Sequence, residues 1–204
     1  MAFATFKRLQ DVARAYQVSV AIARFVQAQP HAVEERFASD LAFFIQNVDV
    51  RISEASICEF LIAPVLKEVW RAYSDSLRMW SHAPLGIEEP LLGTPDYYFS
   101  RRSPLGLVPD QPYVLVEEAK KDDFDAGWAQ CLAAMLASQE MNDRPNRTIY
   151  GCVSNGKLWT LGKLEGQALT QEFQEYVVTD LPELFGALHY LFAQAKQQAL
   201  APAA

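Results

Sequence analysis

The run Tyr113-Val114-Leu115-Val116-Glu117-Glu118-Ala119-Lys120 passes from apolar to charged within one short stretch, and its aromatic and β-branched residues read as a strand. Side chains alternate between the two faces of a strand, so Glu118 and Lys120 share a face with Val114 and Val116, while Ala119 points the other way. That face should be buried along its apolar part and open at its charged end. Two charges closing an apolar strand face mark a cleft rather than bulk surface.

Around this strand the chain reads as alternating helices and strands. Residues 6–23 carry Phe6, Leu9, Val12, Ala13, Tyr16, Val20 and Ile22 near helical spacing, with Pro30 as a stop. A second helix is expected over 33–45, with Phe37, Leu41 and Phe44 on one side. The first fifty residues are therefore expected to be a helical extension that packs on the core of residues 51–204 or forms a homodimer. A third helix spans 53–73 with Ser53 as N-cap and Cys58, Leu61, Ile62, Val65, Leu66, Val69 and Tyr73 as its apolar face. Pro64 on its polar side should curve it.

A loop-rich stretch over 81–94 leads to strands at 96–100 and 113–118, whose proline- and glycine-rich connection (101–112) suits a hairpin loop or a mobile flap. A helix at 125–140 follows. Strands at 148–153 and 157–161 then flank Asn155-Gly156, the sequence preferred by a two-residue type I′ turn. One more strand near 172–178, a helix from Pro182 to about 197 and a frayed Ala-Pro-Ala-Ala tail complete the chain. The fold class is α/β (α+β), a mixed sheet flanked by helices.

The 204 residues, half of them hydrophobic, suffice for one core with an extension. No apolar run is long enough for a bilayer, and the first residues lack a signal peptide's pattern. Cys58, Cys131 and Cys152 have no metal-knuckle spacing and read as buried thiols in a reducing cytoplasm; His31, His82 and His189 are equally scattered, which argues against zinc. A net charge of −7 argues against unaided DNA binding. The central region does gather Arg101, Arg102, Lys120, Lys121, Arg144, Arg147, Lys157 and Lys163, although acidic residues there are about as numerous. Gly151 to Lys157 has the spacing of a phosphate-binding loop, but Leu158 stands where Ser or Thr would hold magnesium and the match straddles a hairpin, so no nucleotide cofactor is expected.

Two carboxylates and a lysine converging at strand ends can hold a divalent cation and position water against a phosphodiester. Asp96 opens one strand, Glu118 and Lys120 end the next, and the preceding helix offers Glu54 or Glu59. Each acid has an ordinary reading as well. Glu54 is a first-turn acid favoured by the helix dipole, and Glu59 is a capping-box partner of Ser56 if the helix begins there.

In this order the motifs resemble the PD-(D/E)xK phosphodiesterases, and in particular the N-terminal nuclease domain of type I restriction enzyme motor subunits, as a stand-alone protein. Ser53-Glu54-Ala55 before Leu61-Ile62-Ala63-Pro64 is similar to that family's first helix. Gly93-Thr94-Pro95-Asp96-Tyr97 matches its first acidic motif and Glu118-Ala119-Lys120-Lys121 its second. Ala129-Gln130 matches the glutamine of the following helix, and Val153-Ser154-Asn155-Gly156 with Trp159 the hairpin after it.

The resemblance covers about half the chain and implies a restriction-endonuclease-like core. It further implies Mg2+ or Mn2+ held by Asp96, Glu118, the Ala119 carbonyl and Glu54, with Lys120 acting on the attacking water and Gln130 assisting, and DNA as substrate. Glu117 departs from the family's apolar residue and is expected to find an ion-pair partner or to mark an exposed edge. The alternative is a nuclease-like fold that binds or assembles without turnover. A small-molecule enzyme finds no phosphate-cradling loop or nucleophile–histidine pair to support it.

Overall fold

The structure, a computed structural model, describes residues 3–142 and 146–201. Arg144 of the basic set and residues 202–204 of the expected frayed tail lie outside them. Helix α1 (Leu9–Ala15) is far shorter than the apolar spacing predicts. Gln17 takes a left-handed conformation (φ 56°), and the amides of Gln17 and Val18 donate to the carbonyls of Arg14 and Ala13. That is a Schellman stop, formed here without glycine. The chain leaves it extended, and β1 (Ser19–Ala23) pairs parallel with β7 (Ala168–Glu172) at the sheet edge. Val20 and Ile22 are therefore strand residues with solvent-facing side chains, a correction to the helical expectation.

Among the described residues the sheet is eight-stranded and mixed. Its order is β1-β7-β6-β5-β4-β3-β2, with β2 (Leu77–Ser81), β3 (Tyr97–Arg101), β4 (Asp110–Ala119), β5 (Ile149–Ser154) and β6 (Leu158–Glu165); β8 (Tyr176–Val177) also pairs with β6. The strand expected over 172–178 is thus split into β7 and β8, and β2 occupies residues without a strand signal. Neighbours β4 and β5 are parallel, joined by α5 (Phe124–Met141), which crosses over one face. Residues 126–139 of α5 are all buried, because α1 covers the side turned away from the sheet.

The opposite face carries α2 (Glu35–Asn47), α6 (Leu181–Leu200) and the third helix. That helix runs as α3 (Glu54–Ile57), a π turn (Cys58–Ile62) and α4 (Ala63–Arg71). Pro64 lacks the amide that would close an α-helical bond to Phe60, and the widened turn directly before it absorbs the defect. Ser53 is its N-cap, its hydroxyl accepting from the Ser56 amide at 3.1 Å. A helix starting at Ser56 with Glu59 as box partner is therefore not what forms.

Two further local expectations are corrected. Phe99 pairs with Leu115 but Ser100 with Tyr113, so Val114 is the extra residue of a bulge. Val114 consequently packs in the core on the α6 side, whereas Val116 packs on the α5 side, beneath Glu118. The β5–β6 hairpin forms, but with three loop residues. Gly156 alone has positive φ (+79°), and the Asn155 carboxamide accepts from the amides of Lys157 and Leu158 instead of entering a type I′ turn. The connection expected over 101–112 is a hairpin loop confined to residues 102–109, with Arg101 and Asp110 paired across its base at 3.1 Å.

Candidate active site

The register of β3 and β4 explains how the acidic residues meet. Tyr97 lies opposite Glu117, so Asp96, one residue before β3, falls opposite Glu118. Asp96 Oδ2 accepts the Ala119 amide at 2.9 Å, which ties the first motif to the second. Lys120 leaves the strand end with its amide bonded to the Ser154 carbonyl at 2.8 Å, continuing the β4–β5 ladder. Its Nζ lies 3.6 Å from Glu54 Oε2. A cleft of about 400 Å3 is lined by Glu54, Asp96, Glu118, Lys120 and Gln130 together with Phe3, Lys7, Thr94, Asp123 and Ala126. Five of the residues singled out from the sequence thus surround one opening, whereas Ala119 is buried in the core on the other face of the sheet and does not line it. Glu59 is solvent-exposed and does not line the cleft, so Glu54 is the helical acid that reaches it.

Lys120 can lie where it does because α5 has no side chain at Gly127. A β-carbon there would stand 2.8 Å from Lys120 Cγ and 2.5 Å from Val153 Cγ1. The lysine stem threads this gap and is almost wholly buried, while its ammonium reaches the cleft.

Glu118 is 3% exposed, and its Oε1 has no hydrogen-bond partner. Burial holds its carboxyl well above the ordinary value of 4.5, and the neighbouring charge of Asp96 and a hydrogen bond to it push the same way; Lys120 opposes them. A buried acid with an unmet oxygen, beside a second carboxylate in an open cleft, is a donor set that could hold a cation. The oxygens are hard donors of the kind that suit Mg2+ or Mn2+.

The N-terminal segment contributes a part that no motif announces. The Phe3 ring packs so tightly on Gly93 that a β-carbon there would meet it at 2.3 Å. The Leu9 amide donates to Asp125 Oδ1 in the first turn of α5. This docking brings Lys7 to the cleft as a second cation. The N-cap of α5, Asp123, was also not singled out; its carboxylate accepts from the Ala126 amide. Only its place before the predicted helix signalled it.

Across the sheet from Glu118 lies Glu117, wholly buried with neither carboxyl oxygen hydrogen-bonded. This corrects the expectation of an ion pair or an exposed edge. Strand β4 is central, so both its faces are covered. Burial is the main cause that raises the Glu117 carboxyl well above 4.5, with the charges of Asp96 and Glu118 adding to it.

No protein-family model matches the chain, and no curated protein matches it in sequence. Among the described residues, no helix is long and apolar enough to cross a membrane.

Proposed function

We propose that the chain is a divalent-metal-dependent phosphodiesterase of the PD-(D/E)xK type that acts on DNA in the cytoplasm. The observation that carries this reading is the cross-strand meeting of Asp96 with Glu118, whose buried Oε1 is unmet, beside Lys120 in an open cleft. Asp96 and Glu118 would hold Mg2+ or Mn2+, with the Ala119 carbonyl and Glu54 completing the set. When bound, the ion supplies Lewis acidity toward a phosphoryl oxygen and lowers the pKa of water.

The protein's own groups do the rest. Lys120 orients the attacking water and offers positive charge to the phosphate as negative charge builds on it. Glu54 pairs with that ammonium at 3.6 Å and holds it at the cleft. Gln130 and Lys7 are placed to donate to non-bridging phosphate oxygens. As water adds to phosphorus, the bond to the leaving sugar oxygen breaks and that oxygen takes up a proton. The net charge of −7 makes binding depend on these local cations and on the metal, so affinity should fall as salt rises.

The test is incubation of supercoiled and linear DNA with the protein and Mg2+ or Mn2+, alongside Asp96→Ala and Lys120→Ala. Cleavage by the native chain that drops by on the order of 10²-fold or more in each variant is the expected result. Equal nicking by all three proteins removes the hydrolytic reading. DNA retention without cleavage replaces it with a binding module on the same fold.

A further inference from the structure

We infer that the chain carries a second cation site, in which Cys58, His82 and Asp96 take a thiophilic divalent ion of the zinc class with Glu117 as a further ligand. One donor atom from each of Cys58, His82 and Asp96 lies within 4.8 Å of the other two. A sulfur, an imidazole nitrogen and a carboxylate oxygen form a borderline-soft set that favours zinc over magnesium. Ideal tetrahedral coordination brings such donors to roughly 3.3–3.8 Å of one another.

Each ligand is aimed by its own element. Cys58 opens the π turn of the third helix. His82 follows β2 in a left-handed conformation (φ 49°), with its amide donating to the Asp96 carbonyl at 2.9 Å and Ser81 Oγ 2.9 Å from its Nδ1. Its Nε2 lies 3.3 Å from Asp96 Oδ1, the carboxyl oxygen not engaged by the Ala119 amide. A fixed Nδ1 with Nε2 facing the other ligands is how metal-binding histidines are usually held.

The independent observation is Glu117. It is fully buried, has no partner for either oxygen, and lies opposite Tyr97, which packs in the same core cluster as Cys58. A buried carboxyl in that position has two unmet oxygens that only a proton or a cation can satisfy. As the sulfur–metal bond forms, the thiol proton passes to solvent.

This inference does not rest on DNA hydrolysis, because its readout is thiolate ligation. The full-length chain is titrated with Co2+ and followed by absorption. A thiolate-to-cobalt charge-transfer band with intense tetrahedral visible bands is expected. Cys58→Ser should abolish the charge-transfer band, His82→Ala should weaken Co2+ affinity at least about tenfold, and Glu118→Gln should leave the band in place. His82 is exposed, so its variant keeps the test open even if Cys58→Ser fails to fold. Absence of the band at millimolar Co2+, its survival in Cys58→Ser, or unchanged affinity in His82→Ala overturns the site.

Discussion

Glu118→Gln is expected to raise the melting temperature at pH 8 while removing DNA cleavage, two effects of opposite sign from one side chain. The folded state holds the Glu118 proton well above the value at which the unfolded chain releases it, chiefly because the carboxyl is buried. The unfolded state therefore binds fewer protons between these two values, and stability falls as pH rises through that window. Glutamine carries no ionisable proton, so the variant should be more stable than the native chain at pH 8 and no more stable near pH 4. Cleavage should fall on the order of 10²–10³-fold, the range for loss of one preorganised electrostatic contact. Mg2+ should raise the melting temperature of the native chain but not of the variant. Glu117→Gln is the comparator: its carboxyl is raised for the same reason, so it should gain similar stability without losing Mg2+-dependent cleavage. An unchanged melting temperature at pH 8 would contradict the buried, proton-holding state of Glu118.

The second large effect is expected at Gly127, which touches no substrate. Alanine in a helix interior ordinarily stabilises by about 1 kcal/mol over glycine. Here its β-carbon would stand 2.5 Å from Val153 and 2.8 Å from the Lys120 stem, so one of them must move. Gly127→Ala should therefore cost about 1–3 kcal/mol by overpacking. If Lys120 is the side chain that yields, its ammonium shifts by an ångström or so, and kcat should fall by on the order of 10²-fold with little change in KM. Divalent-ion affinity at Asp96 and Glu118 should hold. A more stable, fully active Gly127→Ala would show that the stem is not positioned by this gap.

The parts of the site that lie within one strand or beside it were legible in the residues. Alternation puts Glu118 and Lys120 on one face, and the closing charges of β4 locate the cleft. Helix α5, the third helix with its Ser53 cap and the hairpin at Gly156 were legible for similar reasons, since periodicity and turn chemistry are local signals. What escaped depends on distant contacts. The helical spacing of Val20 and Ile22 is indistinguishable from a strand's until Gln17 turns left-handed and β7 offers an edge. The bulge at Val114 reverses one step of the alternation and is decided by pairing with β3.

Glu117 reads as a surface charge because carboxylates rarely occupy the inner face of a central strand, and nothing in its neighbours reports that the second face of β4 is covered as well. Lys7 and Phe3 reach the cleft only through the docking of the N-terminus on Gly93 and α5. Cys58 and His82 lie in different elements, at a spacing no metal motif uses, so their meeting at Asp96 is a product of the fold.

The central claim is that Asp96 and Glu118 share one hydrated dication beside Lys120. Crystals soaked in Mn2+ and measured at the manganese absorption edge address it directly. The account predicts an anomalous peak at oxygen-ligand distance, about 2.0–2.3 Å, from both carboxylates, and its loss in Asp96→Ala. Saturating Mn2+ with no peak between these two residues, or a peak ligated by only one of them, would contradict it.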